Sequence, residues 1–321
     1  MPDLGDMGDR TAPADLLPLG RVGFVGAGAL GSTLARALAG CGAQVIAVTA
    51  RRPDRAVALA DSIPGCRHLP GASDVAAAAD TVFLAVPDDA LPAVDAALAW
   101  SPHHTVVHLS GARGLDILPH AAATGANVAA LHPLMIFPRP APTARAALAR
   151  LSGCTWALAA SDADTRARLE TLVVALGGRA VLLPDAARVP YHLSAVLASN
   201  YVVALLGAAV DIWQTFGIDS RVALDALVPL LRATVENLAA LGPAGALAGP
   251  VARGDVGTVA AHLAWLQRSL SSEQDAALAD PAALIDAYRA LARLAIPLAQ
   301  ARGSLTDDAA DALRRVVDAG D

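Results

Sequence analysis

Residues 22–38 read VGFVGAGALGSTLARAL, a short β-branched run, three glycines at 26, 28 and 31, and then an Ala/Leu stretch of helical character. The spacing predicts a strand, a tight turn and a helix. In that arrangement Gly26 permits the turn, Gly28 lets a backbone approach a bound pyrophosphate, and Gly31 allows the helix to pack closely on the strand. Gly26, Ala27, Gly28, Ala29, Leu30 and Gly31 then form a loop whose free N–H groups, at the positive end of the helix, face phosphates. A plain turn in an Ala/Gly-rich chain is the bland alternative, and the strand before and helix after argue against it.

Working outward, β-rich runs alternate with helical stretches from residue 21 to about 184. The strands read at 22–25, 44–49, 81–86, 105–109, 127–131, 155–160 and 179–183, with a weaker one at 67–69. This alternation predicts an α/β domain built on a mostly parallel, doubly wound sheet. From 187 onward apolar residues recur at helical spacing through 192–215, 221–240, 254–270, 281–301 and 306–318, which predicts an all-α second domain. The prolines of PDAARVP, 184–190, suggest a boundary between 186 and 187. The expected organisation is a loose tail at 1–19, a dinucleotide-binding domain at 20–186 and a helical substrate and dimerisation domain at 187–321.

The second strand ends in VIAVTARRPDR, 45–55. An acid at such a strand end binds a ribose 2′-hydroxyl, whereas Arg accommodates a 2′-phosphate. With no acid at the strand end and with Thr49, Arg51 and Arg52 available, NADP is expected rather than NAD. A solvated Arg pair is the alternative reading. Val86 and Pro87, in LAVPDDAL, are read as a wall beside the nicotinamide or its ribose.

The composition narrows the function classes. The chain has 321 residues, a net charge of -6, and 24 basic residues that are all Arg. No basic field suits a nucleic-acid backbone or an anionic membrane. Three well-separated cysteines, Cys41, Cys66 and Cys154, lack the spacing of a thiolate metal site, and no metal is expected. Although mean hydropathy is +0.47, Gly, Pro or charges are read as interrupting each apolar run short of the ~20 residues a span requires. A cytoplasmic protein is expected.

Candidates for chemistry stand at later strand ends and in the second half. Ser110 in HLSGA and His132 in ALHPLMIF sit where open α/β sheets place ligands. A capping Ser and a structurally bonded His are the equal alternatives. In YHLSAVLASNY, 191–201, polar side chains are sparse. A continuous helix there would bring His192 and Ser199 within about 20° of each other and turn Asn200 about 80° away. His192 is read as a proton donor and Asn200 as the residue orienting a carbonyl, with Ser199, Asn237 and Arg253 contacting substrate. Arg253 either clamps a carboxylate or pairs with Asp255. The site is expected in the cleft between the domains.

The segments GAGALG, LAVPDDAL, HLSGA, ALHPL, YHLSAVLASNY and GPVARGD together resemble a family of bacterial two-domain Rossmann-like oxidoreductases whose helical half carries a domain-of-unknown-function label. The resemblance covers residue 20 to the end. It implies kinship with ketopantoate reductases, pyrroline-5-carboxylate reductases and the 6-phosphogluconate dehydrogenase superfamily. One departure stands out. Ketopantoate reductases offer Lys and Asn four residues apart, and if Asn200 matches that Asn, the Lys position holds Val196.

The function so implied is NADPH-dependent reduction of a small carboxylate-bearing carbonyl compound, 2-dehydropantoate being the best single choice. An imine reductase and a non-catalytic NADP-binding regulatory protein are the alternatives. The apolar helices of the second half suggest a homodimer built through it.

Overall fold

The structure is a computed structural model that describes residues 17–270 and 278–319. Among the described residues the chain divides into two compact units, the first ending at Ser199 and the second beginning at Asn200. Most of the expected tail, residues 1–16, lies outside the described residues. Its last part is docked rather than loose, because Leu19 is buried and its carbonyl accepts a 2.7 Å bond from the Thr81 hydroxyl.

The first unit opens with β1 (Arg21–Val25), α1 (Ala29–Gly40), β2 (Gln44–Thr49), α2 (Pro53–Asp61), β3 (Arg67–His68) and α3 (Ala72–Ala78). It continues through β4 (Thr81–Leu84), α4 (Leu91–Ala97), β5 (Thr105–His108), α5 (Pro119–Ala123) and β6 (Asn127–Pro133). It closes with α6 (Ala144–Leu151), β7 (Thr155–Ala160), α7 (Ala163–Ala175), β8 (Arg179–Leu182) and α8 (Arg188–Ala198). The strands form one sheet in the order β3-β2-β1-β4-β5-β6-β7-β8, with every neighbouring pair parallel except β6 and β7. The short runs of Val, Ile, Ala and Leu are buried on both faces, as central parallel strands require. Two apolar layers result, one around Phe24, Leu34, Val48 and Trp156, the other around Val75, Val82, Leu84 and Val106. Phe24 and Phe83 stack across β1 and β4 with ring centroids 5.0 Å apart. The fold is therefore the Rossmann-like architecture the sequence predicts.

The unit boundary differs from the expected one. Arg188, Tyr191 and His192 on α8 engage residues that follow β5 and β6, so this helix travels with the sheet and the division falls at 199/200 rather than 186/187.

The second unit comprises α9 (Asn200–Thr215), α10 (Ser220–Ala246), α11 (Val256–Ser269), α12 (Pro281–Ala301) and α13 (Asp307–Asp318). The expected helix across 192–215 is broken. Ser199 adopts φ -130°, ψ -72°, which ends α8 before α9 begins. Residues Asp185–Thr215 do contain an 18-residue window of mean hydropathy 1.9, apolar and long enough by composition to cross a membrane, which the sequence reading had not found. The break divides that stretch into pieces of 11 and 16 residues. At about 1.5 Å per residue each is shorter than a ~30 Å hydrocarbon core. The core of the second unit lies among α11, α12 and α13, around Val259, Leu263, Ile296, Ala310, Leu313 and Val317. By contrast, α9 buries no residue and α10 only Ala223.

Candidate active site

The carboxyl ends of β1, β2 and β4 form an open groove of about 530 Å³, lined by the glycine loop, Thr49, the arginines that follow it, Val86 and Pro87. Gly26 sits at φ +112°, and a Cβ there would lie 2.2 Å from the Ala85 carbonyl oxygen, so no other residue fits. At Gly31 a Cβ would meet Ala85 Cβ at 2.6 Å, which is why α1 can lie against the end of β4. Above Gly28 a Cβ would meet nothing within 4 Å. Gly28 is also the N-cap of α1 and offers no side-chain cap, so the first N–H groups of that helix point into open space. This cradle fits the phosphates of a dinucleotide, with the positive helix end toward them.

Around the adenosine end, Arg51 and Arg52 line the groove together with Arg55, which sequence reading missed. Its position one helical turn beyond the Arg pair was the available signal. Arg52 makes an exposed ion pair with Asp54 at 3.2 Å, while Arg51 has no such partner among the described residues. Thr49 is buried, with its hydroxyl donating to Pro70 O at 3.5 Å.

Beside this groove, past Pro87 and Asp88, lies a polar cluster at the ends of β5 and β6. Ser110 Oγ donates to Asp88 Oδ2 at 2.6 Å and accepts from the N–H groups of Ala112 and Arg113 at 3.2 and 3.1 Å. Its only proton is thereby committed, and the residue holds the loop that carries Gly111. Glycine is needed at 111, because a Cβ there would lie 2.8 Å from His192 Nδ1 and 3.0 Å from His132 Nε2. The two imidazoles stand nearly perpendicular with centroids 6.1 Å apart. His132 Nδ1 lies 3.0 Å from the Tyr191 hydroxyl. His192 Nδ1 is buried and has no hydrogen-bond partner among the described residues.

Burial holds two histidines of this cluster in the neutral form. Burial, helped by the neighbouring His192 and Arg188, pulls His132 down to about 4. His108 is pulled down to about 3, again mainly by burial. His108 Nε2 faces Gly114 O at 3.1 Å and its Nδ1 accepts from Ser110 N at 3.3 Å, which fits the neutral Nε2–H tautomer. Burial pushes Tyr191 up to about 12. A protonated phenol thus faces a neutral imidazole across a distance over which a proton can pass. Beside them stands the Arg188 guanidinium, whose side chain is fully buried, with Nη1 donating to Ser110 O at 3.4 Å. Arg188, Tyr191 and Gly111 were not singled out from the sequence.

Other expected site residues fall elsewhere. Ser199 is the non-helical residue after α8, so the face it was to share with His192 on one continuous helix does not form. Asn200 is the exposed first residue of α9, and Asn237 is exposed on α10. Arg253, two-thirds exposed, lies 4.0 Å from Asp255, whose carboxylate caps α11 through Thr258 N at 3.0 Å. That is the loop-shaping arrangement weighed against a carboxylate clamp. Among the described residues no three of His, Cys, Asp and Glu gather as metal ligands, and the three cysteines are free.

With this geometry in place, comparisons with known proteins agree. Residues 21–110 match the family model described as NADP oxidoreductase coenzyme F420-dependent, and residues 154–295 match the domain of unknown function DUF2520. A Bacteroides fragilis protein assigned as an NADP oxidoreductase has a solved structure that aligns with TM-score 0.67 at 20% identity, over 87% of this chain and 98% of that one. An Aspergillus terreus reductive aminase, solved with NADPH and ethyl levulinate, aligns with TM-score 0.61 at 16% identity over 92% and 98%. A Streptococcus pyogenes 1-pyrroline-5-carboxylate reductase aligns with TM-score 0.57 at 16% identity over 88% and 98%. A comparison with curated proteins found no match.

Sheet, glycine cradle and arginines therefore define an NADP-dependent oxidoreductase. More particularly, the chain joins an NADP-oxidoreductase domain to a DUF2520 domain, and its likeness to pyrroline-5-carboxylate reductases is one of fold.

Proposed function

We propose that the protein is an NADPH-dependent reductase of a small carboxylate-bearing carbonyl compound, with 2-dehydropantoate the best single candidate. The observation that carries this reading is the convergence of His132 and His192 on Gly111, with Tyr191 bonded to His132, next to the cofactor groove. Reducing a ketone takes a hydride and a proton. NADPH, when bound, supplies the hydride. The glycine loop would hold its pyrophosphate, Arg51, Arg52 and Arg55 its 2′-phosphate, and Val86 and Pro87 its nicotinamide end.

The chain's own residues would manage the proton. His192 is the proposed donor, with Nδ1 lacking a hydrogen-bond partner among the described residues. Tyr191 and neutral His132 form the adjoining pair that can hold or pass a proton at the His132 imidazole. Ser110 and Asp88 keep the Gly111 loop in place so that both rings reach it. Ser199, Asn200, Asn237 and Arg253 remain candidates for substrate contact.

An imine substrate is the second reading, favoured by the absence of any Lys. A protonated C=N bond needs less help from an acid. NADPH oxidation measured across a panel of 2-keto acids and cyclic imines decides between them. Ketone turnover supports the first reading, imine turnover the second, and tight NADPH binding without turnover points to a regulatory protein.

The proposed setting is the cytoplasm, without nucleic-acid or membrane partners, as a homodimer built through α9 and α10. On these helices Val203, Val222, Leu230, Val235 and Leu241 are more than half exposed, more apolar surface than a monomer ordinarily leaves uncovered. Light scattering that shows only monomer would remove the dimer.

A further inference from the structure

Arg188 is the buried guanidinium of the polar cluster, and two of its nitrogens make no hydrogen bond among the described residues. The guanidinium is fully buried, yet neither Nε nor Nη2 has a hydrogen-bond partner among the described residues. Among hydrogen bonds within the described residues, Nη1 alone is engaged, with the Ser110 carbonyl at 3.4 Å. Nε and Nη2 share one edge of the planar group, the edge whose two N–H bonds match the two oxygens of a carboxylate. A buried cation with two unspent donors is costly to keep unless something pairs with it.

The approach side is marked. Asp185 Oδ1 stands 3.6 Å from Nε, beyond hydrogen-bond reach, on a side chain that is 47% exposed and also accepts from Leu115 N at 3.2 Å. A carboxylate therefore already stands at that edge, in a long ion pair that makes no hydrogen bond. Arg188 reaches the Ser110 carbonyl and shares α8 with Tyr191 and His192, which sets its guanidinium beside the proposed reaction site.

From this geometry we infer that the Nε/Nη2 edge of Arg188 is the carboxylate subsite of the enzyme, taking the acid group of a small 2-oxo acid or cyclic imino acid in place of Asp185. The inference rests on the reductase reading and names its substrate class. Arg188 acts here as a specificity residue, because it grips a group that does not react. The pairing leaves the neighbouring carbonyl or imine carbon beside His132 and His192.

The test compares pyruvate with methyl pyruvate, which have the same reactive ketone with and without the charge, binding to the NADP complex of the full chain by calorimetry. The unmodified protein should prefer pyruvate. Arg188→Met should weaken pyruvate by about 10- to 100-fold, the worth of a charge-assisted bond, and leave methyl pyruvate within about twofold. Arg188→Lys keeps the charge but not the fork and should fall between. Asp185→Asn, removing the competing carboxylate, should tighten pyruvate. NADPH affinity reports whether each variant is folded. If the unmodified protein binds both compounds alike, or neither, or if Arg188→Met and Arg188→Lys weaken both equally, the subsite is overturned. Turnover is read separately with 1-pyrroline-5-carboxylate and 1-pyrroline as well as the two ketones. Carboxylate binding that depends on Arg188 without any turnover would sink the reductase reading and leave the subsite standing. Turnover indifferent to the carboxylate would do the reverse.

Discussion

Gly28 has nothing within 4 Å of where its side chain would be, while Arg188, on the same sheet unit, has no exposed surface at all. The first belongs to a groove made of backbone, which is complete in every residue that it needs: a cramped glycine, an open glycine and the end of a helix. The second belongs to a cluster made of side chains drawn from the ends of β5 and β6 and from α8, and its hydrogen bonds are left partly unmade. The contrast teaches where each kind of recognition is stored. A cofactor's phosphates can be held by chain geometry, whereas a substrate is held by donors kept buried and in reserve.

Substituting the cradle glycines should give the largest effects. Gly26→Ala forces a Cβ to 2.2 Å from a carbonyl oxygen at φ +112°, so thermal melts should show a loss above about 4 kcal/mol, the range of severe core changes. Gly28→Ala has the room to fold. Its melt should stay close to the parent while NADPH affinity, measured by fluorescence, drops because the Cβ occupies the phosphate's place. A Gly28→Ala protein that binds NADPH normally would break the backbone half of the comparison.

On the side-chain half, His192→Ala should lower kcat for a confirmed ketone by ~10² to 10⁴, the usual worth of a positioned acid, with NADPH affinity nearly unchanged. His192→Gln, which keeps hydrogen bonding but donates no proton, separates positioning from chemistry. A rate near the original would move the role to the Tyr191–His132 pair.

Next in size is the double change Arg51→Gln with Arg52→Gln. Charge-assisted bonds contribute about 1.5–3 kcal/mol, and both side chains are exposed, so NADPH should weaken toward the low end of that range and NADH hardly at all. Arg55→Gln should add to the loss. Equal affinity of the parent for the two cofactors would end the NADP preference.

At neutral pH the buried histidines should show least. Their ordinary value is 6.5, and the fold holds His132 near 4 and His108 near 3. The unfolded chain therefore binds more protons than the native one as pH falls below about 6.5. Their contribution to stability is full above that point and is lost on acidification through 4 toward 3, with no slope from these two groups between pH 7 and 9. Denaturant midpoints across this range check it, and His132→Gln should flatten part of the acid slope.

Much of this was legible before the structure. Every predicted strand is present within a residue or two at its ends, including the two-residue β3, because buried parallel strands are continuous runs that local composition reveals. The glycine loop was legible for the same reason, since its function is local. The cluster was not. Arg188 lies in a polar link between prolines, Tyr191 reads as one more apolar residue at a helix start, and Gly111 follows a serine in an ordinary turn. Only the pairing of β5 with β6 and the return of α8 bring them together. The break at Ser199 was hidden because apolar spacing runs straight through it, and periodicity does not register a single residue that leaves the helix.

Heredity and folding divide this chain at different places. The two family matches cover residues 21–110 and 154–295, and neither is a stretch that could stand alone. A fragment stopping at 110 would strip β6 from β5 and leave a central strand as a bare edge, the situation that invites association with other chains. One running from 154 to 295 would hold β7 and β8 without their antiparallel neighbour, and would lose α13, whose Leu313 and Val317 complete the helical core. Anyone dissecting the molecule should cut after Ser199 instead, which keeps the whole sheet, cradle, cluster and Arg188 on one piece.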